Sequence, residues 1–143
     1  MLPENIELEV VTPERHVLQQ TVKSVEIPGQ EGYLGVLPGH APLITKLGIG
    51  ILTYRSDGET RYLTVIDGYA EVLPDRVIVL AELSERAEEI DVARTREALD
   101  RAKAQVAKID VRDPEWERAS SALQRALVRL QAASKTGTSG ARE

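Results

Sequence analysis

The hydrophobic period of this chain changes once, near Ser84, and that change constrains its architecture more than any other feature. Before it, apolar residues recur every second position. Ile6, Leu8 and Val10 alternate with Glu7, Glu9 and Val11, and Val25 and Ile27 carry the signal up to Pro28-Gly29. Ile49, Ile51 and Thr53 alternate until Ser56-Asp57-Gly58, and Tyr62, Thr64 and Ile66 resume beyond it. Asp-Gly between two alternating runs predicts a tight hairpin, because both residues tolerate positive φ. Pro74-Asp75 divides the run Ala70–Leu73 from Arg76–Leu80 in the same way. Many short strands with closely spaced turns predict an antiparallel β-sandwich or flattened barrel over residues 1–84.

After Ser84 the period becomes helical. Leu99, Ala102, Val106 and Ile109 share one helix face, and Trp116, Ala119, Leu123, Ala126, Leu127 and Leu130 share another. Asp110-Val111-Arg112-Asp113-Pro114 separates them, with Asp113 suited to an N-cap and Pro114 to the first helical position. An antiparallel two-helix hairpin is predicted over 85–135, which makes the chain α+β. Both stripes are rich in Ala, so the helices can approach closely while burying little area each, the character of a marginal latch. The Gly/Ser/Thr-rich residues 136–143 are expected to form a flexible tail.

Composition narrows the function. The chain has no Cys, which excludes disulfides and thiolate metal sites, and no Phe, so the core must be aliphatic. No apolar run is long enough to span a bilayer, and the start lacks a basic region followed by an apolar core, so a soluble protein is expected. Residues 1–84 carry 6 Lys/Arg against 12 Asp/Glu, whereas residues 85–143 carry 12 against 11. No acid occurs between Arg118 and Arg142. An acidic front and a basic tail argue against nucleic-acid binding and suit different partners at the two ends. Catalysis is not expected, because no metal-ligand spacing, paired carboxylates or nucleophile elbow occurs. His40 has no base or nucleophile beside it in sequence, and a role in packing or hydrogen bonding is the simpler reading.

The stretch Pro28-Gly29-Gln30-Glu31-Gly32-Tyr33-Leu34-Gly35-Val36-Leu37-Pro38-Gly39-His40-Ala41-Pro42-Leu43 reads on its own as tight bends at the corners of a sandwich. Its order of Gly, Pro and His also resembles the signature loop of epsilon subunits of bacterial F-type ATP synthases. The resemblance continues through Gly48, Gly50 and Val65–Val72 into the helical hairpin, to about Ser134. It implies a non-catalytic rotor subunit whose sandwich packs on the gamma (shaft) subunit and rests on the polar loops of the c-ring. It further implies a peripheral place on the cytoplasmic face of the bacterial membrane, reached only through partners, and a part in coupling proton-driven rotation to ATP synthesis. Glu31 and Tyr33 should then lie near the c-ring and His40 near the shaft. Tyr33 departs from the pattern, standing where many relatives carry a second acid.

Arg94 and Arg101 share a helix face, as do Arg125 and Arg129. Converging guanidiniums would suit a polyphosphate, although no P-loop is present. On the other reading Asp91 is an N-cap, Glu97 and Arg101 are an ordinary surface pair, and the face is simply solvated. The resemblance favours the former: Asp91-x-x-Arg94 is similar to the motif through which some epsilon subunits bind ATP. Arg101, Arg125, Arg129 and Glu85 fall on the remaining positions of that site, and Thr95 replaces the usual Ala. It implies ATP as a regulatory ligand rather than a required cofactor. An extended hairpin, through the basic face that includes Arg118, would meet acidic segments of the catalytic hexamer and block ATP hydrolysis. A free-standing nucleotide-sensing module is the alternative in another class.

Overall fold

The computed structural model describes residues 3–141. Seven strands precede the change of period and two helices follow it: β1 (Ile6–Val11), β2 (His16–Val22), β3 (Ser24–Gly29), β4 (Gly32–Val36), β5 (Leu43–Ser56), β6 (Glu59–Leu73), β7 (Arg76–Leu83), α1 (Val92–Lys108) and α2 (Trp116–Ala141). The strands hydrogen-bond in the order β2-β1-β7-β6-β5-β3-β4. All neighbours are antiparallel except β1 and β7, which run parallel. That one exception to the predicted antiparallel sandwich is possible because the whole strand domain separates the two, so no tight turn dictates their direction. β4 is a strand formed within the Gly/Pro stretch that reads in sequence as bends.

β5 and β6 are long, at 14 and 15 residues, and Asp57-Gly58 joins them with φ of 52° and 80°. Both bend halfway. On β6 the core-facing residues are Leu63 and Val65 before Asp67-Gly68 and Ala70 and Val72 after it. Asp67 (φ 57°) and Gly68 (φ 121°) therefore form a bend at which the alternation reverses, while the register of β6 with β5 and β7 is the same on either side. A Cβ on Gly68 would sit 2.0 Å from the Leu80 carbonyl oxygen, so this bend requires glycine. The core-facing set on β5 shifts at the same level, from Leu47 to Leu52 and Tyr54. The two long strands thus pass through both layers and fold one sheet over on itself. Lys23 N–H donates to the Arg55 carbonyl at 2.7 Å and the Ser56 hydroxyl donates to the Thr21 carbonyl at 3.0 Å, closing the far side. The interior is aliphatic apart from Tyr54, as the lack of Phe demands.

α1 starts where Asp91 caps it, its Oδ1 accepting the Arg94 N–H at 3.0 Å. Asp113 does cap toward α2, accepting from the Glu115 N–H at 2.8 Å. A tight turn, Trp116 N–H to Asp113 carbonyl, intervenes, so the regular helix begins at Trp116 rather than at Pro114. α1 buries Thr95, Leu99 and Ala102, with Val106 and Ile109 half-buried. α2 buries Ala126, Val128 and Ala132, while Leu127, expected inside, is exposed. α2 packs on α1 and also on β5 and β6, so two neighbours divide its surface and no single stripe describes it. Its backbone stays helical to Ala141, through most of the stretch expected as a flexible tail. Propagation adds one hydrogen bond per residue and Gly costs only about 1 kcal/mol relative to Ala, so the helix carries through. Arg142 and Glu143 lie outside the described residues.

Candidate functional site

The helices reach the sandwich through α2. Ile51 and Ile66, on the outer face of β5 and β6, form one buried cluster with Ala87, Ile90, Val128 and Ala132. Ile49, Tyr62 and Ala133 pack around it, and Lys135 Nζ stands 5.5 Å from the centre of the Tyr62 ring. These strands are therefore covered on both faces, with the sandwich interior beneath and α2 above.

One ion pair fixes the seat. Arg129 donates from Nε and from a terminal nitrogen to the two Glu85 carboxylate oxygens, at 2.7 and 3.1 Å. Glu85 is held in turn by β6: its N–H donates to Thr64 Oγ1 at 3.0 Å and its carbonyl accepts the Thr64 N–H at 2.9 Å. The fork geometry adds specificity, and at about one-third exposure the pair stabilises the docked helix by roughly 1 kcal/mol. A second network secures the short 3-10 turn Ala87–Glu89. Glu89 accepts from Arg86 at 2.7 Å and from Arg15 at 3.0 Å, and these two guanidiniums pull its carboxyl from the ordinary 4.5 down to about 2. Among the described residues no group of His, Asp and Glu has metal-ligand geometry.

The predicted nucleotide residues are only partly brought together. Glu85 and Arg129 are in direct contact, and the Asp91 carboxylate meets Arg94 through its backbone N–H alone. Arg94 and Arg101 are exposed on α1 and Arg125 is half-buried on α2, and these side chains form no ion pair among the described residues. The 730 Å³ cleft beside α2 is lined not by them but by Glu26, Tyr33, Ile51, Thr53, Leu127, Leu130, Gln131, Ser134 and Lys135. Arg118 is largely exposed, 3.8 Å from Glu115.

The three loop residues have separate places. Glu31 is exposed at the β3–β4 turn. His40 is half-buried, with Nδ1 at 2.7 Å from the Ala41 carbonyl, in a loop that the Gly39 N–H ties to the Pro74 carbonyl at 2.7 Å. Tyr33 is 56% exposed, yet its hydroxyl accepts the Ile51 N–H at 3.0 Å.

Sequence reading missed the sandwich's other outer face. Lys46, Tyr69, Leu80 and Val11 lie side by side across β5, β6, β7 and β1, with Ile44, Glu71, Ile78 and Glu9 in the next row of that face. Ile44, Tyr69 and Leu80 are 71%, 54% and 55% exposed. The signal was available: in Arg76–Leu80 both alternating sets, Val77/Val79 and Ile78/Leu80, are apolar, as a strand with two apolar faces requires.

Comparison with known proteins follows the same division. The beta-sandwich domain of the ATP synthase delta/epsilon chain matches residues 5–87, and the long alpha-helix domain of that chain matches 88–134. An ATP synthase epsilon chain of Syntrophobacter fumaroxidans is 49% identical over 135 residues, covering 94% of this chain and 100% of the relative. One from Koribacter versatilis is 54% identical over 101 residues, 71% of each chain. Among solved structures, a chain of the Euglena gracilis mitochondrial ATP synthase, OSCP/F1/c-ring in rotational state 1, superposes with a TM-score of 0.78 at 27% identity, covering 93% of this chain and 83% of that one. A chain of the Tetrahymena thermophila mitochondrial ATP synthase central stalk/c-ring shares the fold, with a TM-score of 0.60 at 12% identity over 90% of this chain and 96% of its own. Sandwich, helical arm and sequence agree over residues 5–134: the chain belongs to the ATP synthase delta/epsilon family, as one of its epsilon chains.

Proposed function

We propose that this chain is a non-catalytic rotor subunit whose sandwich grips the shaft (gamma) subunit through its open outer face and rests on the c-ring by the Glu31 turn. The observation that carries this reading is the asymmetry of the sandwich. One outer face is covered by α2, while the other leaves Ile44, Tyr69 and Leu80 in solvent between Glu9, Glu71 and Lys46. A face on which exposed apolar side chains are interspersed with mainly acidic ones fits a partner that offers apolar and basic groups together. The likeness to a chain of an OSCP/F1/c-ring assembly supports a partner within such a complex, and the shaft is the one proposed. The chain reaches the membrane through such partners, at its cytoplasmic face, and no helix among the described residues is long and apolar enough to cross it. In this role it couples proton-driven rotation to synthesis on other subunits. Co-expression with the gamma subunit of the same enzyme tests the assignment: a stable complex surviving gel filtration is expected, and separate elution overturns it.

The helical arm is the regulatory part. Folded, it is held by a small aliphatic cluster and one ion pair, a contact modest enough to open. Extended, its acid-free second helix from Arg118 onward would reach the catalytic hexamer and restrain ATP hydrolysis. ATP favours the folded state by engaging Arg94, Arg101 and Arg125, guanidiniums without ion partners among the described residues, and Arg129 once it leaves Glu85. A ligand at 100 times its Kd stabilises the folded arm by about 2.7 kcal/mol, about half of the roughly 5.5 kcal/mol needed for a complete switch. Calorimetric titration with ATP should give binding that Arg94→Ala abolishes. No heat up to several millimolar would remove the sensor and leave the rotor assignment standing.

A further inference from the structure

The β3–β4 turn and the seat of α2 are linked by one side chain, and the reason lies in the hydrogen-bond parity of β5. Ser56 and Glu59 close the tight β5–β6 hairpin, so hydrogen-bonded pairs recur at Tyr54/Arg61, Leu52/Leu63 and Gly50/Val65. Ile51 falls between them, opposite Thr64, and its N–H points away from β6 toward β3. The β3–β5 ladder is interrupted there, between Glu26 and Gly29, around Pro28. Left alone, that N–H would lack an acceptor beneath the α2 cleft. The Tyr33 hydroxyl, reaching across from β4, accepts it at 3.0 Å.

The surroundings are shaped for this reach. Tyr33 pairs with Pro28 across the β3–β4 hairpin. A Cβ on Gly50 would lie 2.5 Å from the Tyr33 hydroxyl oxygen and 2.7 Å from Pro28 Cβ, so the glycine leaves the room that the ring occupies. On one side, Tyr33 is two residues beyond the exposed Glu31. On the other, Ile51 packs in the buried cluster with Val128 and Ala132, and Tyr33 lines the cleft with Leu127 and Leu130. The contacts run without a gap: turn, Tyr33, Ile51, α2.

We propose that Tyr33 is a positioning residue that couples the conformation of the Gln30–Glu31 turn to the docking of α2, so that a partner held at the turn biases the arm. The link belongs to the chain itself. The rotor reading supplies only what presses on the turn, so failure of the link leaves that reading untouched. Coupling is reciprocal: if the turn sets the arm, releasing the arm must loosen the turn.

Hydrogen exchange on the full chain tests both directions, with β1 and β7 as internal controls. Tyr33→Phe removes the acceptor but keeps the ring, and α2 amides should exchange about fivefold faster, the effect of one lost hydrogen bond. Val128→Asp releases α2 from the other end, and amides of 29–35 should then exchange several-fold faster. In both variants β1 and β7 should keep their protection. Unchanged α2 exchange in Tyr33→Phe, or unchanged turn exchange in Val128→Asp, overturns the coupling. A uniform rise that includes β1 and β7 also overturns it, because Tyr33 would then serve only the stability of the sandwich.

Discussion

The two outer faces of the sandwich carry similar aliphatic surface and meet different fates. Ile51 and Ile66 are buried beneath α2, whereas Ile44, Tyr69 and Leu80 stay in solvent. Both faces belong to the same pair of long strands, and the bend at Asp67-Gly68 separates them. The difference teaches that the arm is an occupant of the sandwich rather than part of its core. The interior from Leu8 to Val79 closes without it. The arm adds a small second cluster and the Arg129–Glu85 fork.

The strongest way to break this division is to remove the bend. Gly68→Ala drives a methyl group into the Leu80 carbonyl and forces a non-glycine residue to φ 121°. A loss of roughly 4 kcal/mol in urea unfolding is expected, enough to prevent folding in a marginal background. Val128→Asp comes next. Burying an unpaired carboxylate costs several kcal/mol, so α2 should leave its seat while the sandwich remains folded. Two separate transitions, or selective loss of α2 protection in hydrogen exchange, would display that. Glu85→Gln replaces a charged fork by weaker neutral bonds and should cost about 1 kcal/mol of docking, with the remaining arm contact less sensitive to salt than in the parent.

A smaller effect separates the two ion-pair networks by pH. The Glu89 carboxyl is held at about 2 by Arg86 and Arg15, below its ordinary 4.5. A folded-state pKa below the unfolded one means that the stabilisation is fully present above about pH 4.5 and is lost as pH falls toward 2. Partial exposure limits the contribution to about 1 kcal/mol. Glu89→Gln should therefore lower stability at pH 7 by that amount and flatten the decline between pH 4.5 and 2 in urea titrations. Smallest of all is the effect of Leu80→Asp on stability, expected within about 0.5 kcal/mol, since the side chain already lies in water.

Much of the covered half was legible in the sequence. Alternation at Ile6–Val10 and the Asp57-Gly58 hairpin specify strands directly, because period and turn chemistry are local properties. The two helices and the Asp91 cap were equally plain. What local pattern could not give was the second partner of a surface. The alternation at Ile51 and Ile66 does not say which partner that side of the strand meets, and they face α2, far along the chain. Leu127 and Val128 exchanged burial for the same reason. Within the nucleotide constellation, Glu85 and Arg129 were each assigned to an ATP site by resemblance, and their ion pair with one another is seen only in the structure. The role of Arg15 escaped notice because it acts across the fold on Glu89, whereas Arg86 is only three residues from that carboxylate, in a short turn that no hydrophobic period marks. Tyr33 looked like a missing acid. Its use depends on the parity of β5, which only the strand register reveals.

The central claim is that the open face belongs to a partner and the covered face to the arm. Its most direct test is the affinity of the gamma subunit for the full chain, for Leu80→Asp and for Val128→Asp, measured by calorimetry. Leu80 lies in the middle of the open face, and a charge there should weaken binding at least about 30-fold, the scale of a central contact residue. Val128→Asp, on the opposite face, should bind like the parent chain. Unaltered affinity of Leu80→Asp alongside lost affinity of Val128→Asp would contradict the account, because the shaft would then take hold on the arm's side of the sandwich.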